Sequence, residues 1–278
     1  MAAERDLLVP VLVDAVGRSG TTALMQLLAS SPSVFAEREY PYESRYLTYL
    51  YSWARLLDGD QKMAGKWERG KMLPEAPNEI GGLPWRDLLP SPSGFASKCF
   101  LAAWRHFSEG APARASHYIE KVPLWVAGAI PSELPEARVI HLIRDPRDVW
   151  LSVRSFNAKR GFHAFGRRPG QSEEDYFEDF VAVQRERLGN LVGCGESSHE
   201  FVLRYEDMIA GPSESSARLG AWLGLQLRAD ALEVNRPEHV TSPTVDGSTG
   251  RWRRELERVW KKRFRTELGP LMSEFGYR

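Results

Sequence analysis

The segment Val11 to Leu28, VLVDAVGRSGTTALMQLL, constrains this chain more than any other, because an apolar strand runs directly into a turn of small residues and then into a helix. The strand pattern ends near Val16. Gly17 and Gly20 let the backbone turn tightly, and the N–H groups that open the helix have no partner one turn back. They point into the turn, where a phosphate or sulfate fits. Arg18 adds a fixed positive charge inside the loop, and Ser19, Thr21 and Thr22 add hydroxyl donors. The same alternation continues along the chain. Apolar runs near 9–16, 115–120, 138–143 and 199–204 read as strands, and periodicity predicts helices over 21–30, 42–57, 95–108, 146–156, 173–192, 213–223 and 251–267. Strands alternating with helices predict an α/β fold, a parallel sheet covered by helices on both faces.

The stretch 137–156, ARVIHLIRDPRDVWLSVRSF, repeats the design: a buried strand, a charged turn opened by Arg144, Pro146 near the first helical position, and an amphipathic helix. Ser152 follows Arg144 by eight residues, about two turns into that helix, on a side from which it can share one anion with Arg144. The alternative is a surface ion pair between Arg144 and Asp145 or Asp148, with Ser152 an ordinary helix residue.

The first loop differs from the P-loop of ATPases and GTPases, GxxxxGK[ST], whose Lys directly precedes the magnesium-holding hydroxyl. Here Gly20 is followed by Thr21 and Thr22, and the loop's cation, Arg18, lies two residues before the glycine. RSGTT in this setting resembles the 5′-phosphosulfate loop of sulfotransferases, which use 3′-phosphoadenosine 5′-phosphosulfate (PAPS) as donor and release 3′-phosphoadenosine 5′-phosphate (PAP). Arg144 to Ser152 matches that family's R-[DN]-P-[KR]-[DA]-x3-S pattern at every element, and the resemblance implies that Arg144 and Ser152 hold the 3′-phosphate. HYIEKVPLW (117–125) reads as a short strand delivering Lys121 to its end, where the family has a Lys or Arg on the transferring sulfuryl group. FVLRYEDMIAGP (201–212) resembles the family strand ending in YED, which implies that Tyr205 lies beside the adenine. DGSTGRWRREL (246–256) resembles the last PAPS-binding segment, with Gly250, Arg251 and Trp252 as its candidate contacts. The family's Arg-Lys-Gly element is missing there, and Arg251, Arg253 or the backbone of Ser248 to Gly250 are its possible replacements. The fold implied is the P-loop-like sheet of the sulfotransferases, as a single domain over 1–278.

By analogy with phosphoryl transfer, moving SO3 in line between two oxygens needs positioning and stabilisation of the departing phosphate oxygen, and no metal. No metal-ligand cluster stands out among six His and two Cys. The resemblance gives the leaving group to Arg18 and Lys121. Cytosolic family members place a basic His two residues after the Lys, where this chain has Pro123. Tyrosylprotein sulfotransferases take a Glu from the segment after the first helix, which implies Glu39, 21 residues after Arg18, as general base. Glu37 is the second candidate, His117 and His106 weaker ones. Both glutamates are otherwise solvated partners of Arg38 or Arg45.

Lys plus Arg and Asp plus Glu both total 37, which gives no reason to expect nucleic acid or an anionic membrane as partner. Cys99 and Cys194 make no disulfide framework, no apolar stretch reaches the length of a membrane span, and no secretory pattern opens the chain, so a cytoplasmic protein is expected. The acceptor expected is the hydroxyl of a small molecule, a phenol, natural product or lipid alcohol. The aromatic stretch 40–53, YPYESRYLTYLYSW, either lines an apolar pocket for it or packs as a core helix. Residues 68–94 and the basic loop 157–171 are candidate covers over the site or plain surface loops. Two other classes share the strand–loop–helix design: a P-loop kinase using ATP and magnesium, and a nucleotide-binding protein without catalysis.

Overall fold

In the computed structural model, which describes residues 6–39, 42–57, 94–161, 163–233 and 246–278, strands and helices alternate along the chain. The order is β1 (Val9–Asp14), α1 (Thr21–Ala29), β2 (Val34–Phe35), α2 (Tyr46–Leu57), α3 (Phe95–Glu109), β3 (His117–Val122), α4 (Leu124–Glu133) and β4 (Arg138–Ile143). There follow α5 (Pro146–Arg160), α6 (Glu173–Leu191), β5 (Glu200–Arg204), α7 (Tyr205–Ala210), α8 (Pro212–Leu223), α9 (Trp252–Glu255) and α10 (Arg258–Glu274). The strands form a five-stranded parallel sheet in the order β2-β3-β1-β4-β5. Their nearly continuous burial, from Val11 to Asp14 in β1 and from Val139 to Ile143 in β4, is what a parallel sheet covered on both faces requires.

Two compact units share this chain, one of residues 1–12 and 32–138, the other of 13–31 and 139–278. In the first, β2 and β3 pair in parallel, Val34 opposite His117. An aromatic cluster packs beside them: the Tyr46 and Phe107 rings stack at 3.9 Å, and Phe107 meets Tyr118 edge-on at 5.1 Å. Glu120, fully buried on β3, opens α2 by accepting hydrogen bonds from the Leu47 and Thr48 backbone N–H groups (2.7 and 3.0 Å) and from the Thr48 and Tyr118 hydroxyls (2.6 and 2.8 Å). A carboxylate from another strand thus caps the helix, satisfying donors that α2 cannot satisfy itself. Burial pushes the Glu120 carboxyl above its ordinary range, against the pull of these donors.

In the second unit β4 and β5 pair in parallel from Val139 opposite Glu200 to Ile143 opposite Arg204. Asp145 caps α5 by accepting from the Arg147 N–H, Pro146 supplies the first turn, and Gly161 at φ 69° ends the helix. The core centres on Trp150, whose ring lies 5.2–5.9 Å from those of Tyr176, Phe177, Phe180 and Trp260. The helix expected over 251–267 is instead two, α9 and α10, separated by extended backbone at Leu256 and Glu257. Leu256 is buried there, and Glu257 accepts from both terminal nitrogens of Arg154. These anchors from α5 and the core override the helical periodicity. α5 runs to Arg160 rather than 156, and α4 and α7 had no predicted counterpart. Of the expected cover 68–94, residues 68–93 lie outside the described residues.

Candidate active site

In the second unit several donor groups converge at the turn between β1 and α1. Gly20, at φ 97°, precedes α1 with no side-chain cap, so the first N–H groups of the helix face the loop. A Cβ on Gly20 would stand 2.2 Å from the Tyr205 ring, so only glycine lets that ring lie against the loop. Ser19 is fully buried, and its hydroxyl has no partner among the described residues. Arg18 adopts the left-handed region, φ 71°, a conformation uncommon outside glycine and concentrated at functional sites. Its Nε donates to the Ser152 hydroxyl at 3.2 Å, and its guanidinium lies 4.8 Å from the centre of the Phe156 ring.

Arg144 reaches across this loop. Its Nη1 donates to the Arg18 carbonyl at 2.7 Å and its Nη2 to the Ser248 carbonyl at 2.5 Å, while its guanidinium stacks 4.6 Å from the Tyr205 ring centre. Its Nε is buried with no partner among the described residues. The Tyr205 hydroxyl pairs with that of Ser248 at 2.8 Å. Asp148, fully buried on α5, accepts from the Gly250 N–H (2.6 Å) and the Trp252 N–H (2.9 Å), pinning this segment. Burial pushes the Asp148 carboxyl up. The Gly250 N–H is therefore committed to the protein. Arg251 pairs with Glu255 through Nε and Nη2, yet its buried Nη1 has no partner among the described residues. Arg18, Ser19, Gly20, Arg144, Ser152, Tyr205 and Ser248 thus come together, and Ser248 is the member that motif reading had only as backbone. No periodicity marks it; its hydroxyl counts only because the fold delivers it to Tyr205. Thr21 and Thr22 open α1, half-buried, and Trp252 stacks under Arg147 at 3.5 Å. In the basic loop, Phe165 presses its ring on Gly17, where a Cβ would stand 2.3 Å from it.

The remaining predicted residues belong to the first unit. Lys121, near the end of β3, is largely buried with its Nζ 3.8 Å from a Glu43 carboxylate oxygen. Burial lowers its pKa to about 8, with Glu43 opposing and Arg45 adding to the shift. Glu37 and Glu39 are exposed, and the Glu37 carboxylate accepts from the Arg38 and Glu39 N–H groups. Glu43, which no motif marks, is a carboxylate brought to Lys121. His117 is buried at the start of β3 against the Ser116 hydroxyl, and His106 is exposed on α3. In the aromatic stretch Tyr42 and Tyr51 are buried, Tyr49 and Trp53 exposed, and Tyr40 lies outside the described residues. Among the described residues no cluster of three or more potential metal ligands occurs, no helix is long and apolar enough to cross a membrane, and both cysteines are free thiols.

Solved structures resemble nearly the whole chain, among them the following three. The sulfotransferase domain of the Synechococcus PCC 7002 olefin synthase matches with a TM-score of 0.55 and 17% identity over 100% of this chain and 98% of that one. A sulfotransferase from Alicyclobacillus acidocaldarius matches at 0.51 and 12% identity over 95% and 92%, and sulfotransferase STF9 from Mycobacterium avium at 0.50 and 16% over 99% and 78%. Identities this low speak for the fold. No curated protein matches the chain in sequence. A family model described as the sulfotransferase family matches residues 10–229, most of the chain, including the turns at Arg18 and Arg144. With that match and this fold, the chain belongs to the sulfotransferase family.

Proposed function

We propose that this sulfotransferase takes its sulfuryl group from PAPS and places it on a hydroxyl of a small organic acceptor. The observation that carries the donor is the cradle itself: the buried Ser19 hydroxyl, Arg144 Nε and Arg251 Nη1 lack partners among the described residues and lie on the loops that bear the donor motifs, with an uncapped helix N-terminus beside Ser19. Buried donors of this kind are costly unless an acceptor completes them, and a nucleotide carrying two anionic groups is rich in acceptors. When bound, PAPS supplies the sulfuryl group. Arg18, Ser19 and the α1 N-terminus then hold its 5′ end, with Thr21 and Thr22 as further donors. Arg144, Ser152 and Arg251 are assigned to the 3′-phosphate, and Tyr205 to the adenine. Lys121 is assigned to the sulfuryl group and to the charge left on the departing phosphate oxygen. The acceptor proton goes to a carboxylate. Its spacing from Arg18 favours Glu39; a second reading, Glu43, is favoured by its 3.8 Å approach to Lys121. A cytoplasmic location and action without a metal belong to the same proposal.

Thermal unfolding with PAP, beside ATP and magnesium, tests the donor. At about 100 times its dissociation constant a ligand stabilises the fold by about 2.7 kcal/mol, a rise of roughly 5–10 °C for a chain of this size. A rise with PAP alone is expected. A rise with ATP and magnesium alone would make the protein a kinase-like nucleotide binder.

A further inference from the structure

Arg187 lies on α6, outside every donor motif, and is buried with only 4% of its surface exposed. Its Nη1 donates to the Asp14 carboxylate at 2.7 Å, and its Nη2 to the Asp14 carbonyl at 2.9 Å and toward the Leu142 carbonyl at 3.4 Å. His141 Nδ1 meets the other Asp14 oxygen at 2.9 Å. Asp14 ends β1, and Leu142 is the penultimate residue of β4. One guanidinium therefore ties the ends of the two strands from which the Arg18 loop and the Arg144 turn depart. Above it, Arg144 Nη1 on the Arg18 carbonyl joins the same two segments again.

We propose that Arg187 is a positioning residue for the donor, setting the separation between the loop that holds the 5′ group and the turn that holds the 3′-phosphate. This rests on the PAPS reading. A nucleotide links its two anionic groups by a fixed length of ribose, so the benefit of engaging both depends on the loops standing at the matching distance. The planar fork of arginine suits the task, since it donates in two directions at once where an ammonium offers a single point charge. Asp14 and His141 fix the fork from below. Among the described residues the cluster meets no loop of the cradle through a side chain of its own, so its effect on the donor passes through the two strand ends.

The test compares PAP with adenosine 5′-phosphate, which lacks the 3′ group, by titration calorimetry on the full chain. In the unchanged protein PAP binds much more tightly than the monophosphate. In Arg187→Gln the affinity ratio falls at least tenfold, because the second anion no longer meets its site in register, while the monophosphate loses little. Arg187→Lys is measured beside it as a variant that keeps the buried positive charge next to Asp14, and the same fall in ratio is expected. A role confined to fold stability lowers both affinities alike and leaves the ratio unchanged, and that result overturns the proposal. If the unchanged protein shows no preference for PAP over the monophosphate, the donor reading fails and the positioning role with it.

Discussion

Arg18 holds a left-handed backbone and turns its guanidinium to Ser152, so its charge is held beside the start of α1. Arg18→Ala removes that charge without touching the core, and transfer is expected to fall about a hundredfold or more with thermal unfolding little changed; an unaltered rate would sink the leaving-group role. Lys121 gives a pH signature. A lysine is charged below its pKa, and burial brings that value down to about 8, so charge that an exposed lysine keeps to about 10.5 is half lost at pH 8. If Lys121 acts as a cation, kcat/KM, which reports the free enzyme, declines as pH rises through about 8, and Lys121→Arg, which stays charged, carries its activity past that point. A profile flat from pH 7 to 9.5 in the unchanged enzyme counts against a charged Lys121. The base is settled by Glu39→Gln beside Glu43→Gln: the variant that loses activity in the acid-to-neutral limb marks the proton acceptor. The turns that carry Arg18 and Arg144 were readable from the chain, since small residues and a proline near the first helical position impose local geometry. Glu43 was not, because its neighbour Lys121 is 78 positions away and only the folding of β3 against its own unit joins them.

At the scale of elements, the loop between β1 and α1 is built on two glycines with different neighbours. Gly20 has positive φ and sits under the Tyr205 ring, itself buried and bonded to Ser248. Gly20→Ala combines backbone strain of about 1–2 kcal/mol with a clash against a ring that has no room to move. Gly17 meets the Phe165 ring, which is partly exposed and packs on one side against Phe156, so it has more room to give than Tyr205. Unfolding midpoints are expected to drop clearly for Gly20→Ala and much less for Gly17→Ala; an equally large drop for Gly17→Ala would show that Phe165 does not yield, and a small drop for Gly20→Ala that Tyr205 is not fixed. Most helices and the four longer strands were legible, because caps and periodicity act within a few residues: Asp145 with Pro146 starts α5 and Ser172 starts α6. The two-residue β2 carries too little pattern to read, and the break before α10 follows from Arg154 on Glu257, a contact spanning 103 positions.

For the whole molecule, the core of the second unit centres on Trp150, fully buried among aromatic rings from α6 and α10. Trp150→Ala is expected to cost about 3–5 kcal/mol in denaturant unfolding, and a loss below about 1 kcal/mol would mean that the surrounding rings close over the gap. What the sequence determined by itself is the class of fold and the two strand–turn–helix junctions: strand period, helix period, glycine and proline placement and charge spacing are local quantities, and local sterics convert them directly into backbone geometry. The tertiary structure decided which side chains share those turns. Arg144 spans to Arg18 and Ser248, Arg187 joins two strand ends, Asp148 holds Gly250 and Trp252, and Glu120 caps a helix begun 74 residues earlier. Each of these joins residues far apart in the chain, and burial makes such donors and carboxylates seek one another because water is no longer there to satisfy them.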